Sequence, residues 1–514
     1  MLLHQRIDVV VKMQPLINRS FSVIILALCL AGIEISACSQ VPQKLLSARE
    51  LQDDFQILRT TFERAHAGLY RYTQKREMDA AFDRASARLN KPMTELTFYR
   101  LLIPLIDLIH DSHTQLRLTK ETQRWAIKSK KFFPFDIRYV DGRAFIEKND
   151  SENKEIPRGG EILSINHTPM PEITRKILMT QSADGFNRSP QFESANQAFW
   201  FKYFSMVDES ETFEIEVRYL DKSRRYSVRG VSAAVVNNSQ FKTQKHQTFS
   251  LDFVEDGQLA LMTIPTLGDL AIADQFAEAF RKIREMGIQT LIIDIRDNGG
   301  GWDELNTELL SYLVPHPFRF YKGFTHRATT WEDLKYVKYS FDDFLNMPDL
   351  KRPEAERRKI VGDRTLSEIL DYNYPTNPAS GIHLPKPANT FSGALYLLFN
   401  GASGSSGAEI PTLLHFLGVG TLIGEEPNGA YQGVCGGVIP TLPLPHSGMA
   451  VSFPLLAYQN AVLPDLFVNH GVRPHFTVTE TLEDAIRERD TVLEFTLQLI
   501  KARQAKTNQE ARLF

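Results

Sequence analysis

The stretch Leu395–Leu413, LYLLFNGASGSSGAEIPTL, decides the fold of this chain. Its apolar run Leu395–Phe399 predicts a buried strand, and the apolar residues after Gly407 predict a helix. Unpaired N–H groups and partial positive charge at a helix N-terminus stabilise an oxyanion. A buried strand that ends in small residues and a helix start is how an α/β protein presents a nucleophile, although Gly and Ser more often form a plain turn. A catalytic site would therefore need a base and a second oxyanion donor from other parts of the chain.

A second apolar strand with a glycine-rich end precedes this stretch. Residues 291–301 read LIIDIRDNGGG, with helical patterns before them at Phe276–Met286 and after them at Leu305–Leu313. Strands that alternate with helices predict a parallel sheet, so we expect an α/β core over residues 250–480. A polar insertion, residues 320–390, interrupts this core; a lid that faces the substrate and surface decoration both fit its composition.

Two other regions precede the core. Residues 44–125 predict a small helical domain that opens with a capping box at Ser47 and Glu50 and ends in the loop HDSHT, residues 110–114. Residues 130–235 change to short strands and turns, and the segment GGEILSIN, residues 159–166, resembles the turn and strand of PDZ domains, which bind extended peptides. A β-rich spacer without a ligand is the alternative. Residues 481–514 predict a C-terminal helix.

The N-terminus has the features of an export signal, residues 1–37. Its apolar run Phe21–Ile35 is short for a membrane span and contains Glu34. Small residues then precede Cys38, which resembles the lipobox of bacterial lipoproteins. That resemblance implies a lipid on Cys38, attachment to a membrane and a location at the periplasmic face of the cell envelope, with Ser39 favouring the outer membrane. An ordinary secretory signal is the alternative.

Composition excludes several classes of function. The 514 residues are 43% hydrophobic and 24% charged, as in soluble globular proteins, and the net charge of -3 gives no basic surface for nucleic acid. The chain has three cysteines, and only Cys435 would remain free of the signal and of lipid. We therefore expect no disulfide, no zinc site and no cofactor.

Three segments together resemble the core blocks of the S41 family, the tail-specific or C-terminal processing peptidases. They are LIIDIRDNGGG, then LFNGASGSSGAEI with LIGEEPNGA, and finally GVRPHFTV. The resemblance implies a ClpP/crotonase-like core with a PDZ-like domain, and a serine-type endopeptidase that cleaves polypeptides of the envelope. One branch of the family uses a lysine as base, but Tyr431 stands at that place and no lysine lies between Lys386 and Lys501. The histidine-dependent branch, similar to the tricorn core, fits better.

The resemblance also implies site residues. The family's nucleophile lies three residues before a Glu, which selects Ser406 over Ser403 and Ser405. The pair Ser112–His113 matches the branch that uses a histidine, so His113 would be the general base. Backbone N–H groups of Gly300 and Gly407 would bind the oxyanion. The acid that orients the histidine is missing from its usual place; Asp465 is the nearest carboxylate, and a hydroxyl bridge from Ser112 is the alternative.

Two other functions compete with the peptidase. The missing acid, and His475 where the family has Asp, are compatible with a catalytically inactive lipoprotein that binds peptides or envelope proteins. Acyl-CoA chemistry of the crotonase type follows only from fold analogy, and export of the chain disfavours it.

Overall fold

The computed structural model describes residues 44–240, 248–255, 257–339, 364–376, 378–386 and 389–511. The signal at residues 1–37 and the lipidation site Cys38 lie outside these residues. The fold is mixed α/β with a helical N-terminal region and a β-rich second region, as the sequence predicts. Among the described residues, no helix is both long and apolar enough to span a membrane.

The N-terminal region packs helices against one another, and the Ser47–Glu50 capping box opens the first of them. A helix that the sequence analysis did not predict, Lys120–Ser129, follows its last strand. The elements of this region are β1 (Leu45–Leu46), α1 (Ala48–Ala65), α2 (Lys75–Ala87), β2 (Met93–Thr94), α3 (Glu95–Asp107), β3 (Gln115–Arg117) and α4 (Lys120–Ser129).

The second region has its own hydrophobic core beneath an antiparallel sheet. The strand order of this sheet is β4-β5-β6-β8-β9, with β7 paired to β6. Its elements are β4 (Phe135–Val140), β5 (Arg143–Asn149), β6 (Glu161–Ile165), β7 (Thr168–Pro169), α5 (Met170–Leu178), α6 (Ser189–Ala195), α7 (Phe199–Met206), β8 (Thr212–Tyr219), β9 (Lys222–Arg229) and α8 (Ala233–Gln240).

The third region is built on a six-stranded sheet and is followed by two C-terminal helices, not the single one expected from residue 482 onward. Its elements are β10 (Ser250–Val254), β11 (Leu259–Thr263), α9 (Ile272–Glu285), β12 (Thr290–Asp294), α10 (Asp303–Leu313), β13 (Phe318–Arg319), β14 (Tyr321–His326), α11 (Leu366–Thr376), β15 (Ile382–His383), β16 (Ala394–Phe399), α12 (Ser406–Leu417), β17 (Thr421–Gly424), β18 (Cys435–Gly436), β19 (Thr441–Pro443), β20 (Ala450–Ser452), β21 (Leu456–Asn460), β22 (Phe476–Thr477), α13 (Leu482–Arg487) and α14 (Thr491–Ala511).

The six strands run in the order β10-β11-β12-β16-β17-β22, and all pairs except β10 with β11 are parallel. Both faces of this sheet are buried, which explains why its strands read as continuous apolar runs. On one face Ile293 and Leu397 join the main core, and on the other Ile292 and Leu398 pack with Ile500 of α14. Strands β12 and β16 are neighbours, so the glycine turn and the serine loop that follow them meet at the carboxyl edge of the sheet.

A small sheet brings the N-terminal region to the same edge. Strand β3 pairs with β20, with Leu116 opposite Val451. Because His113 lies two residues before β3, this pairing carries the histidine loop to the core. The insertion also joins the core, since its strand β14 pairs with β21.

Candidate active site

The glycine turn after β12 is fixed by one buried side chain, Asn298. Its amide donates to the carbonyl of Ile264 at 2.9 Å and its Oδ1 accepts from the N–H of Gly300 at 2.8 Å. Its backbone carbonyl accepts from the N–H of Gly404 at 2.9 Å, which ties the turn to the serine loop. The close packing of the glycine turn on the serine loop leaves no room for a side chain at Gly407, because a Cβ there would collide with the carbonyl of Asn298. Close approach of backbone to backbone thus explains this glycine.

The serine loop places Ser405 at a sharp bend immediately before α12. Ser405 has φ 52° and ψ -131°, a conformation that is strained for a residue with a side chain. The N–H of Ser405 donates to the carbonyl of Asn428 at 3.3 Å, and the N–H of Asn428 donates to the carbonyl of Ser403 at 2.8 Å. The bend leaves the Ser405 side chain half-buried, with Oγ 3.2 Å from Nε2 of His113.

Ser406, the serine predicted from its spacing to Glu409, points elsewhere. Its side chain is buried, and its Oγ accepts a hydrogen bond of 2.7 Å from the N–H of Gly301. The structure therefore brings Ser405, and not Ser406, to His113. The physical reason is that consecutive residues at a bend into a helix direct their side chains differently, and the bend lies at Ser405. Helix α12 begins at Ser406 and continues through Pro411 to Leu417.

His113 is oriented by a relay on the other side of its ring. Its Nδ1 lies 3.2 Å from Oγ of Ser112, and that hydroxyl donates to Oδ2 of Asp184 at 2.6 Å. The hydroxyl bridge considered for Ser112 is thus present, and the carboxylate beyond it is Asp184, in the loop between α5 and α6. Asp465, the acid named from the sequence, is exposed in the loop after β21 and is not the acid of this relay.

Burial of the relay favours a neutral histidine. Burial lowers the pKa of His113, against the opposing charge of Asp111. Burial and the nearby carboxylate of Asp111 together raise the pKa of Asp184 to about 7, against the hydrogen bond from Ser112 and the charge of Arg71. Asp111 is buried too, but hydrogen bonds from His66 and Thr114 and the charges of the histidines hold its pKa below the usual value. A neutral imidazole is the form that can accept a proton.

The two N–H groups predicted for the oxyanion are already used within the turns. Gly300 N–H donates to Asn298, and Gly407 N–H donates to the carbonyl of Gly404 at 2.8 Å. Gly300 still forms the wall of the site: a Cβ on it would lie 2.9 Å from Cβ of Ser405 and 3.0 Å from N of Ser406. The N–H of the next residue, Gly301, is used as well, since it donates to Oγ of Ser406 at 2.7 Å. The oxyanion role of Gly300 and Gly407 stays a prediction.

The residues that depart from the family pattern have structural roles. Tyr431 is fully buried and its ring packs edge-on against His415 and Phe467. His475 accepts the N–H of Leu422 at its Nδ1, 3.0 Å away. Among the described residues, no group of three or more His, Cys, Asp and Glu side chains is arranged to hold a metal ion.

Comparisons with known proteins agree with this architecture. Residues 258–478 match the sequence pattern of the family described as Peptidase family S41, and residues 129–238 match that of the PDZ domain. The chain therefore contains an S41 peptidase domain and a PDZ domain, and it is a peptidase of the serine type. No curated protein sequence matches the chain.

Solved structures of one protein, CPAF, share the fold. Mature CPAF aligns with a TM-score of 0.54 at 16% identity, covering 85% of this chain and 94% of that chain. A CPAF mutant aligns with a TM-score of 0.58 at 15% identity, covering 86% and 94%. Mature CPAF complexed with lactacystin aligns with a TM-score of 0.55 at 16% identity, covering 86% and 95%. At these identities the likeness establishes a common fold.

Proposed function

We propose that this chain is an exported serine endopeptidase in which Ser405 is the nucleophile and His113 is its general base. The observation that carries the proposal is the distance of 3.2 Å between Ser405 Oγ and His113 Nε2, at a strained bend that starts a helix. Nucleophile and base within hydrogen-bond reach, with the base oriented by a third group, is the arrangement that activates a serine. We propose Ser405 for this role in place of Ser406.

The relay sets the tautomer that the reaction requires. When Asp184 is ionised it accepts the hydroxyl proton of Ser112, so the Ser112 oxygen is left to accept Nδ1–H of His113. Nε2 is then unprotonated and can take the proton of Ser405 as Oγ bonds to the substrate carbonyl carbon. The same proton passes to the leaving amine as the C–N bond breaks. A water molecule repeats these steps on the acyl-enzyme and releases Ser405.

The oxyanion would be bound by the N–H of Ser406, at the first turn of α12, and by the N–H of Gly301. In the free enzyme the hydroxyl of Ser406 accepts the hydrogen bond from the N–H of Gly301. This hydroxyl therefore occupies the acceptor position beside Gly301 that the oxyanion would take. Loss of one oxyanion donor typically costs about 3 kcal/mol of transition-state stabilisation. The helix N-terminus adds partial positive charge at the same point.

Labelling by a serine-reactive fluorophosphonate tests the assignment. We expect the wild type and Ser406→Ala to be labelled, and Ser405→Ala and His113→Gln to remain unlabelled. The neighbouring serine serves as the matched control, since both variants lose one hydroxyl from the same loop. Labelling that survives in Ser405→Ala and disappears in Ser406→Ala would show that Ser406 is the nucleophile. A wild type that is neither labelled nor able to cleave any polypeptide would favour the inactive binding protein.

The place of action rests on the sequence alone. We propose that the signal is removed before Cys38, that this cysteine carries the lipid, and that the enzyme acts on polypeptides at the periplasmic face of the envelope. Cells grown with labelled palmitate should incorporate it into the wild type and not into Cys38→Ser. Incorporation that persists in the variant would contradict a lipid anchor at this residue.

A further inference from the structure

A cationic pocket lies one strand away from the catalytic histidine. Its volume is about 460 Å³, and its lining in the described part of the chain includes Arg71, Lys322 and Arg327 but no acidic side chain. Three positive charges around one pocket, without a carboxylate among the lining residues described, mark a site for an anionic group.

Strand pairing places the pocket beside the proposed active site. Gly436 on β18 borders His113: a Cβ on this glycine would lie 3.9 Å from Nε2. The preceding residue, Cys435, pairs with Ala457 of β21, which lines the pocket. The next lining residue, Tyr458, approaches Gly437 so closely that a Cβ there would collide with its hydroxyl. A peptide bound across His113 thus reaches the pocket within a few residues.

Two of the cations are held mainly by carbonyl and aromatic groups, although the buried carboxylate of Asp184 also acts on the charge of Arg71. The Arg71 guanidinium donates to the carbonyl of Gly433 at 2.8 Å and lies over the ring of Tyr72, 5.3 Å from its centroid. The Arg327 guanidinium lies over the ring of Tyr70, 4.8 Å from its centroid. Aromatic faces and carbonyls position a guanidinium but leave its positive charge for a ligand.

We propose that this pocket is a substrate subsite that binds a carboxylate of the peptide close to the scissile bond. Arginine side chains match the planar geometry of a carboxylate, and charge-assisted hydrogen bonds are about twice as strong as neutral ones. The carboxylate can be that of an internal Asp or Glu or the free C-terminus of the substrate. The proposal rests on the proposed function, because the subsite is part of the same substrate-binding cleft.

Three peptides of otherwise identical sequence test the proposal: one with an internal Glu and an amidated C-terminus, its Gln counterpart, and the Gln peptide with a free C-terminus. We expect at least one carboxylate peptide to be cleaved with a kcat/KM about tenfold above that of the neutral peptide, chiefly through a lower KM. Arg327→Gln should remove most of this preference. Higher salt should reduce the preference. The carboxylate peptide that is cleaved with the higher kcat/KM identifies the source of the bound carboxylate.

The control is Arg224→Gln, which removes one positive charge from the exposed face of β9 in the second region. If the preference is absent from the wild type, or if both arginine variants reduce it equally, the subsite is refuted. Lys322→Gln provides a second variant should Arg327→Gln fail to fold, and it should also weaken the preference. We expect Ser405→Ala, whose pocket is intact, to bind the same peptides by fluorescence anisotropy with the same order of affinity. A binding preference without any hydrolysis would refute the proposed function and retain the subsite, whereas hydrolysis without a preference would do the reverse.

Discussion

The serine half and the histidine half of the site are built in different ways. Ser405 and the glycine turn follow strands β12 and β16, which are paired in register with Asp294 opposite Leu398. His113 and Asp184 come from two other regions, and they meet because separate surfaces dock. The serine half is thus a product of one sheet, while the histidine half depends on contacts between regions. The comparison teaches that the histidine half should be the easier one to disable without disturbing the fold of the core.

Removal of either central group should have the largest effect. We expect Ser405→Ala and His113→Gln each to lower kcat by about 10⁴-fold or more, because the two groups act in one proton transfer. The double variant should be no worse than the more damaging single variant. Steady-state kinetics with a fluorogenic peptide measure this, and near-additive losses would show that the two halves work independently.

Loss of the distant carboxylate should have an intermediate effect. Asp184→Asn and Ser112→Ala should each lower kcat by about 10²-fold, less than removal of a carboxylate that contacts the histidine directly. KM should change little, since neither residue is expected to touch the substrate. Asp465→Asn is the control and should remain within about twofold of the wild type. A loss in Asp465→Asn comparable to that of Asp184→Asn would restore the acid first named from the sequence.

The docking of the Asp184 loop can be tested at its neighbour. Gly185 has φ +66°, and a Cβ there would collide with the carbonyl of Asn469, while its N–H donates to the carbonyl of His110 at 3.0 Å. Gly185→Ala should therefore lower kcat about tenfold and the free energy of unfolding by about 1–3 kcal/mol. The serine half should remain intact, so fluorophosphonate labelling should be slower but complete. A folded Gly185→Ala variant with the kcat of the wild type would show that the docking of this loop does not position Asp184.

The sequence predicted the serine half closely because its signals are local. Apolar runs, the glycine turn and the small residues before α12 lie within two short stretches, and the resemblance located His113 and Ser112. The structure differs there by one residue, since Ser405 and not Ser406 lies beside His113, and no sequence pattern showed that the positive φ falls on Ser405. Asp184 could not be found in this way, since it stands about seventy residues from Ser112 and only the docking of its loop brings it close. Contacts between regions leave no periodic signal in a single sequence.

The pH dependence of activity should separate the two titrating groups of the histidine half. Since the pKa of Asp184 is raised to about 7, protonation at lower pH removes the acceptor for the Ser112 proton and should lower kcat/KM as pH falls through about 7. In Asp184→Asn that step should disappear, and the remaining decline should follow His113 at a lower pH, because burial lowers its pKa. Identical acid limbs in the two proteins would show that Asp184 does not control the relay.

The same carboxylate should reduce stability at high pH. The folded-state pKa of Asp184 is about 7, above the value of about 3.9 for an unfolded chain, so the folded state retains a proton that the unfolded state releases. The stability from this proton is complete below about pH 4 and is lost as pH rises toward 7. As the pH rises from 5 to 8, the free energy of unfolding of Asp184→Asn should therefore increase relative to that of the wild type by on the order of 2 kcal/mol, measured by urea unfolding. If Asp184→Asn loses activity and gains stability at pH 8, the charge of Asp184 serves to position His113. If Asp184→Asn loses the same stability at both pH values, Asp184 mainly holds the regions together.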